Sequence, residues 1–273
     1  MDIELVVSRA KATRTLFSEK NVTFLAGSIA YSAFVSLVPL VMFFFLAVSV
    51  FGAPELQERI VEVTTTNVSP AVGGVIEVMI EQQSTAGTGS TVGASLIGVL
   101  TLVWGAIKVF RGLDTAFSEI YETTAAESFV GQIKKSLLIL CSLTVGIVAM
   151  VGATSVVAFL SAVPFIGAVV PLVLVVALVV AFFPMYYLFP DIDVEPRDVL
   201  PGAIIGAVGW TVLQVLFQAY VTLTGGGGNL IASILLFVTW LYFTGVVLLL
   251  GATYNAVATG RAGATGDHTE SID

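Results

Sequence analysis

The sequence predicts an all-α integral membrane protein, a bundle of six transmembrane helices, and three observations support this. First, 57% of the 273 residues are hydrophobic and only 11% are charged, whereas soluble domains carry about 25% charged residues. Second, six long apolar runs each reach or approach the ~20 residues that a helix needs to cross a hydrocarbon core. Third, the runs lack the alternation of strands, and a backbone in lipid must satisfy its own hydrogen bonds, so the runs must be helices.

The six spans and the segments around them follow from where the apolar runs begin and end. The predicted spans cover about residues 25–52, 92–118, 133–160, 168–190, 199–223 and 229–258, which together make one transmembrane domain, 25–258. Residues 1–24 combine apolar and cationic side chains, which predicts an amphipathic helix at the cytoplasmic membrane interface. The connection 53–90 is predicted to hold short amphipathic helices outside the membrane. Residues 259–273 are predicted to be a disordered cytoplasmic tail.

The positions of the basic residues predict the orientation of the chain. Ten of the 11 Lys and Arg residues fall on the N-terminal segment, on the second and fourth connections and on the tail, while Arg59 alone falls on the other side. Because connections rich in Lys and Arg stay on the inner face, both termini are predicted to be cytoplasmic. The expected location is therefore the cytoplasmic membrane, with membrane lipids as partners and a homo-oligomer left open.

The charge balance and the rarity of reactive side chains exclude several function classes. The net charge is −8, with acidic residues concentrated in the first outer connection and in the tail. This acidity is typical of a solvated surface, or of a surface that attracts cations, and it offers no basic face for nucleic acid. Cys141 is the only cysteine and His268 the only histidine. We therefore expect no metal, no cofactor and no catalytic residues.

The end of the second span carries the main candidates for substrate binding. Lys108, Arg111, Asp114 and Glu119 follow one another at roughly helical spacing, and Ser118 shares the face of the two cations. Lys108 and Arg111 are suited to a phosphate headgroup, with Asp114 and Glu119 to orient or release them. The competing interpretation is an ordinary salt-bridged helix end next to the membrane.

Other polar and small residues lie within the spans. Ser32 and Ser36 belong to a stripe that is either a packing seam or a substrate-lining face, and Pro39 predicts a kink in the first span. Gly202 and Gly206 form a Gly-xxx-Gly pair that is typical of close helix contact. The last two substrate-binding candidates, Gln214 and Gln218, are amides that need partners in lipid and are expected to face the bundle.

Several segments resemble the YihY/virulence factor BrkB family of membrane proteins, formerly labelled ribonuclease BN-like. They are 30–40, the region from Lys108 to Tyr121, 200–203, and the last span with Trp240, Gly251-Ala252 and Asn255. The resemblance covers about residues 20–258 and implies a six-span protein of the cytoplasmic membrane. The family commonly has Gly-Ala-Glu in the last span, whereas Thr253 follows Gly251-Ala252 here.

The resemblance implies no established activity, although transport of a lipid or envelope component has been suggested for the family, and the residues are weighed beside it. We expect a transporter or translocator of a lipid-like or anionic amphiphilic substrate; the alternative is a non-transporting scaffold that maintains the envelope. Ribonuclease chemistry would need several metal-holding His and carboxylate residues or a His acid–base pair. With His268 alone in the tail, the expectation is that the protein is not an enzyme.

Overall fold

The computed structural model describes residues 3–51, 88–123, 166–190, 192–224 and 230–260, together with residues 58, 62, 131, 137–139, 141 and 142. Regular structure in these ranges is α-helical throughout, which confirms the predicted all-α class for this part of the chain. Its helices are α1 (Ile3–Glu19), α2 (Val22–Phe51), α3 (Thr88–Tyr121), α4 (Ile166–Leu188), α5 (Pro196–Thr224) and α6 (Leu230–Ala258). The predicted outer helices within 53–90, most of the span at 133–160 and the tail after 260 lie outside the described residues.

Long apolar segments occur in four of these helices. Pro196–Leu223 and Ile234–Ala258 are each long and apolar enough, by length and composition, to cross a membrane. Val22–Leu37 and Leu172–Leu188 are shorter apolar segments. Because only the described residues bear on this finding, the count of six crossings stays a prediction.

Two helix ends are set by residues in the left-handed backbone region. Asn21, with φ of 47°, separates α1 from α2, and asparagine adopts this conformation more readily than most residues. Glu122, with φ of 56°, ends α3, and the Thr123 N–H then donates to the Ser118 carbonyl at 3.0 Å. That bond is typical of a Schellman cap, which satisfies a carbonyl that the helix leaves open.

A short turn joins α4 to α5. Pro196 occupies the first position of α5, where its missing N–H costs nothing. The preceding residue, Glu195, donates its N–H to the Asp198 carboxylate at 3.3 Å, as in a capping box. This turn lets α4 pack along α5 as an antiparallel neighbour.

The chain divides into two compact units, and the larger one comprises residues 1–30, 110–226 and 239–273. Its core lies where α1, α3, α4 and α6 end and where α2 and α5 begin; we call this region the packed end. Its buried apolar side chains include Leu16, Val22, Phe117, Ile120, Tyr186, Phe189, Val199, Ala203, Leu249 and Ala252. In this unit α3, α4 and α6 therefore run toward the packed end, and α2 and α5 run away from it.

The smaller unit comprises residues 31–109 and 227–238. In it, α2 approaches α3 closely, because a Cβ placed on Gly105 would lie 2.8 Å from the Ser36 Cβ. The Ser36 hydroxyl donates to the Ala33 carbonyl of its own helix at 2.8 Å. The geometry at Ser36 therefore favours a packing seam over a substrate-lining face. Ser32 is half-buried, and α2 continues through Pro39 as far as Phe51.

Candidate functional site

The charged stripe of α3 is narrower than the sequence indicates. Lys108, Arg111 and Glu119 are exposed. Asp114 and Ser118, by contrast, are only 7% and 6% exposed. Ser118 thus lies on the helical face of the cations by its spacing, but at a level of α3 where that face is covered. The candidates thus separate into an exposed cationic part and a buried polar part.

The acidic side chains at the end of α3 have a partner that the sequence analysis did not identify. The Lys20 Nζ lies 2.8 Å from Glu122 Oε1 and 3.9 Å from Glu119 Oε1. Glu119 is therefore within reach of the end of α1, at the outer limit of an ion pair, and its role beside Lys108 and Arg111 stays a prediction. Lys20 comes directly before the Asn21 turn, and its pairing depends on tertiary structure, because about a hundred residues separate it from its partners.

The two cations of the stripe have no carboxylate partner among the described residues. No ion pair joins Lys108 or Arg111 to an acidic side chain in this part of the chain. The Lys108 ammonium instead lies over the indole of Trp104, 3.8 Å from the ring centroid. Both charges are therefore available to an anion.

Axial distances place Arg111 well away from the packed end. At about 1.5 Å per residue, Arg111 lies roughly 12–17 Å before Glu119 and Glu122 along α3. Between them, the Phe117 ring packs 5.2 Å from Phe189 and 5.8 Å from Tyr186, measured between centroids. This stretch of α3 therefore runs beside the last turns of α4, and Arg111 lies farther from the packed end than those contacts.

The Gly-xxx-Gly pair of α5 lies at a close helix contact of the larger unit. A Cβ on Gly202 would lie 2.5 Å from the Gly251 carbonyl oxygen, and one on Gly206 would lie 2.5 Å from the Tyr186 hydroxyl. Asn255 Oδ1 accepts from the Gly202 N–H at 2.7 Å, and Asn255 Nδ2 donates to the Val199 carbonyl at 2.9 Å. We call the residues of this contact the glycine node: Tyr186, Val199, Gly202, Gly206, Gly251 and Asn255.

Two further hydroxyl groups complete the surroundings of the glycine node. The Tyr186 hydroxyl donates to the Leu248 carbonyl at 2.7 Å. Thr253, which stands where the resembling family has a glutamate, is fully buried and donates to the Leu249 carbonyl of its own helix at 2.7 Å. The hydroxyl of Thr253 is therefore used inside α6.

Gln214 and Gln218 are both exposed. The expectation that they face the interior is therefore wrong for the single chain. Gln214 lies 11 residues, or about three turns, after Ala203, and Gln218 lies the same distance after Ala207. The two amides are therefore on the same side of α5 as these buried alanines. Neighbouring helices cover that flank at the packed end and leave Gln214 and Gln218 open, although another side of α5 still packs through Gly209 against Val247 and through Phe217 against Trp240.

Beside Asp114, the last turns of α3 carry buried hydroxyl groups. Ser118 and Tyr121 are 6% and 3% exposed, and the Ser118 Oγ, the Tyr121 Oη and, just after the helix, the Thr123 Oγ1 have no hydrogen-bond partner among the described residues. Burial raises the pKa of the Tyr121 phenol above its ordinary value, so the group is neutral at neutral pH. These groups offer hydrogen bonds without charge.

The described residues contain no group of three or more His, Cys, Asp or Glu side chains placed to hold a metal ion. The candidate residues of the larger unit are therefore the accessible cation Arg111, the accessible amides Gln214 and Gln218, and several buried hydroxyls. The smaller unit contributes the accessible cation Lys108.

The chain matches the family described as Virulence factor BrkB over residues 13–271. It belongs to the BrkB family. A UPF0761 membrane protein of Pseudoalteromonas atlantica is 30% identical over 243 residues, which cover 85% of this chain and 79% of that protein. These findings show a membrane protein of the BrkB type.

Two further relatives bear the same description. A UPF0761 membrane protein of Cronobacter sakazakii is 25% identical and matched over 86% of this chain and 82% of its own. One of Nitrosospira multiformis is 26% identical over 88% of this chain, which spans only 58% of that relative. No solved structure matches the chain.

Proposed function

We propose that this BrkB-family membrane protein translocates an anionic, lipid-like amphiphile in the cytoplasmic membrane, with both of its termini in the cytoplasm. The proposed activity is movement of a substrate without covalent chemistry, so it calls for no catalytic residue, metal or cofactor. Membrane lipids are the proposed partners. The single observation that carries the proposal is the position of Arg111.

The packed end offers a reference for membrane depth. Charged side chains gather there, in the cluster of Lys20, Glu119 and Glu122 and in the turn that precedes α5. If this polar layer lies at the cytoplasmic surface, Arg111 lies about 12–17 Å deeper along α3, measured from charged side chains that lie outside a hydrocarbon core roughly 30 Å thick. A charge at such depth is expensive, and charged residues there line substrate pathways more often than they face lipid.

Arg111 is also suited to bind an anion. Its guanidinium is exposed and has no carboxylate partner among the described residues. A guanidinium can bind a phosphate through two parallel hydrogen bonds, which gives both strength and orientation. The headgroup of an anionic amphiphile could thus leave bulk water and still be paired.

Gln214 and Gln218 extend the polar positions to greater depth. Along α5 they lie about 24 and 30 Å from Asp198, which belongs to the polar layer. Since unsatisfied amides are costly in hydrocarbon, an exposed amide on a membrane-crossing helix implies a hydrogen-bonding partner nearby. A headgroup bound at Arg111 would therefore have further hydrogen-bonding groups of the same unit at greater depth.

The test is transport by the full chain in vesicles. The protein is reconstituted into phosphatidylcholine vesicles that contain a little fluorescent phosphatidylglycerol, and the exchange of that lipid between leaflets is timed with a membrane-impermeant quencher. We expect Arg111→Gln to lower the rate at least tenfold. The matched control is Arg197→Gln, since Arg197 is 79% exposed at the turn before α5 and its pair with Glu195 is a surface ion pair.

Equal rates for Arg111→Gln and the unaltered protein would refute the role of Arg111. An equal rate for labelled phosphatidylcholine would contradict the anionic preference.

A non-transporting scaffold is the second candidate, and the glycine node favours it. Asn255 makes two hydrogen bonds to α5, and Tyr186 makes one to α6, so three helices are joined rigidly. A scaffold predicts no lipid movement by the intact protein. It also predicts that node variants lose function together with stability, whereas Arg111→Gln leaves both unchanged.

A further inference from the structure

Among the cations in the described part of the chain, Lys108 is the one shown to lie over an aromatic ring. The indole of Trp104 lies one turn earlier on α3, and the Lys108 Nζ lies 3.8 Å from its centroid. This is the geometry of a cation–π contact, in which the ammonium lies over the electron-rich face of the ring. Trp104 is 51% exposed and Lys108 is exposed too, so the pair is accessible from outside the protein.

An aromatic ring and a carboxylate hold an ammonium with different consequences. Lys20 illustrates the carboxylate case, because its charge is balanced by Glu122 at 2.8 Å. An anionic ligand would have to compete with that carboxylate. The Trp104 ring carries no net charge, so it fixes the position of the Lys108 ammonium while leaving its full positive charge available.

We propose that Trp104 is a positioning residue that holds Lys108 for an anionic headgroup, and that a phosphate oxygen of this headgroup binds the ammonium on the side away from the ring. The inference rests on the proposed function and names the ligand chemistry as a phosphate whose charge no ammonium of its own headgroup neutralises, unlike that of phosphatidylcholine. The ammonium can hold ring and phosphate together because it has three N–H donors and the ring covers one side of it. The ring therefore holds Lys108 in place both with and without the ligand.

The indole provides its own signal. The chain has three tryptophans, Trp104, Trp210 and Trp240, so the double variant Trp210→Phe/Trp240→Phe leaves Trp104 as the only indole. Its emission is measured for the full chain in nanodiscs of phosphatidylcholine, in the same nanodiscs with added inorganic phosphate, and in nanodiscs containing phosphatidylglycerol. We expect the anion to change the emission of Trp104, and Lys108→Met in the same background to abolish the change.

A response to phosphatidylglycerol alone supports a lipid headgroup as the ligand, and a response to inorganic phosphate supports free phosphate. No response to either anion, or the same response in Lys108→Met, overturns the proposal that Trp104 and Lys108 form a phosphate site.

Transport kinetics test the positioning role in a chain with all other tryptophans intact. Trp104→Leu should raise KM for labelled phosphatidylglycerol about two- to fivefold, the size of a lost cation–π contact at an exposed site, and leave kcat within about twofold. Trp104→Tyr keeps a ring face and should recover most of the affinity. Leu100→Ala, one turn earlier and 68% exposed, is the matched control and should leave KM unchanged.

The two proposals fail in different ways. If Trp104→Leu transports with unchanged KM while Arg111→Gln is inactive, the inference about Trp104 is overturned and the proposed function stands. If the unaltered protein moves no lipid, the proposed function is overturned. The emission of Trp104 then still decides whether the pair of Trp104 and Lys108 binds a phosphate group.

Discussion

The two halves of α5 differ sharply in how they meet the rest of the protein. In the first turns, Gly202, Ala203, Gly206 and Ala207 are all buried, and backbone approaches backbone. Three turns later, on the same flank, Gln214 and Gln218 are exposed. One helix thus joins a tightly packed contact to an open polar surface, and the side chains on that flank change from the smallest to amides.

This difference separates structure from candidate function. Small residues allow close approach, and close approach lets Asn255 and Tyr186 reach main-chain groups of neighbouring helices. The open half forgoes that packing, and its amides must find partners in water, ligand or another protein. We infer that the packed half supports the fold and that the open half is where a substrate would travel.

The largest expected effect is at the glycine node. In Gly251→Ala, the new Cβ would lie 2.5 Å from the Gly202 carbonyl oxygen and 2.5 Å from the Tyr186 hydroxyl. Because backbone cannot yield easily, we expect a loss of about 2–4 kcal/mol in the free energy of unfolding. Thermal unfolding in detergent micelles measures it.

Gly27→Ala is the matched control for this change. Nothing lies within 4 Å of a Cβ at Gly27, which is inside α2. Alanine is favoured over glycine in a helix by up to about 1 kcal/mol, so this variant should be as stable as the unaltered protein or more so. Equal destabilisation of both variants would contradict the close contact at Gly251.

Asn255→Ala should cost about 2–3 kcal/mol of stability, because it removes two buried hydrogen bonds to α5. Asn255→Asp keeps the oxygen that accepts from Gly202 but loses the donor to Val199, and its added charge is buried. The aspartate should therefore also be destabilising, and more so at high pH than at low pH, where it is protonated. Stability of both variants across pH measures this, and a flat profile for Asn255→Asp would argue against burial.

Two buried tyrosines of the packed end should respond differently to loss of the hydroxyl. Tyr186→Phe removes the 2.7 Å bond to the Leu248 carbonyl and should cost about 1–2 kcal/mol. Tyr121→Phe removes a buried hydroxyl that has no hydrogen-bond partner within the described ranges, so it should be neutral or stabilising by up to about 1 kcal/mol. Chemical or thermal unfolding of the two variants side by side checks the contrast. A loss at Tyr121 as large as at Tyr186 would mean that its hydroxyl binds a water or another ligand.

The smallest effect on stability is expected in the open half of α5. The double variant Gln214→Leu/Gln218→Leu removes exposed amides without disturbing buried contacts, so the free energy of unfolding should change by less than about 1 kcal/mol. Lipid exchange in vesicles should nevertheless slow several-fold if the amides accompany the headgroup. Full transport by this variant would restrict the proposed path to α3.

Some contacts depend on partners distant in sequence, and these were beyond prediction. Lys20 appeared only as one of several basic residues near the N-terminus, whereas its pairing with Glu119 and Glu122 requires α1 and α3 to meet. Asn255 was visible as a polar residue in an apolar span, but its two hydrogen-bond partners, the Gly202 N–H and the Val199 carbonyl, belong to the backbone of α5. No local pattern records such pairs, because hydrogen bonds to a main chain place little demand on the partner's side chain.

The sequence by itself determined the helical class and the apolar segments, since hydrocarbon tolerates few other structures, and it singled out Arg111, Lys108 and the Gly202–Gly206 pair through charge and size. Only the tertiary structure decided which faces are covered. It buried Asp114 and Ser118, left Gln214 and Gln218 open, and turned the hydroxyl of Thr253 to its own helix. The physical reason is that the chemistry of a side chain determines which partners it requires, while its burial depends on where neighbouring helices end and how closely they approach.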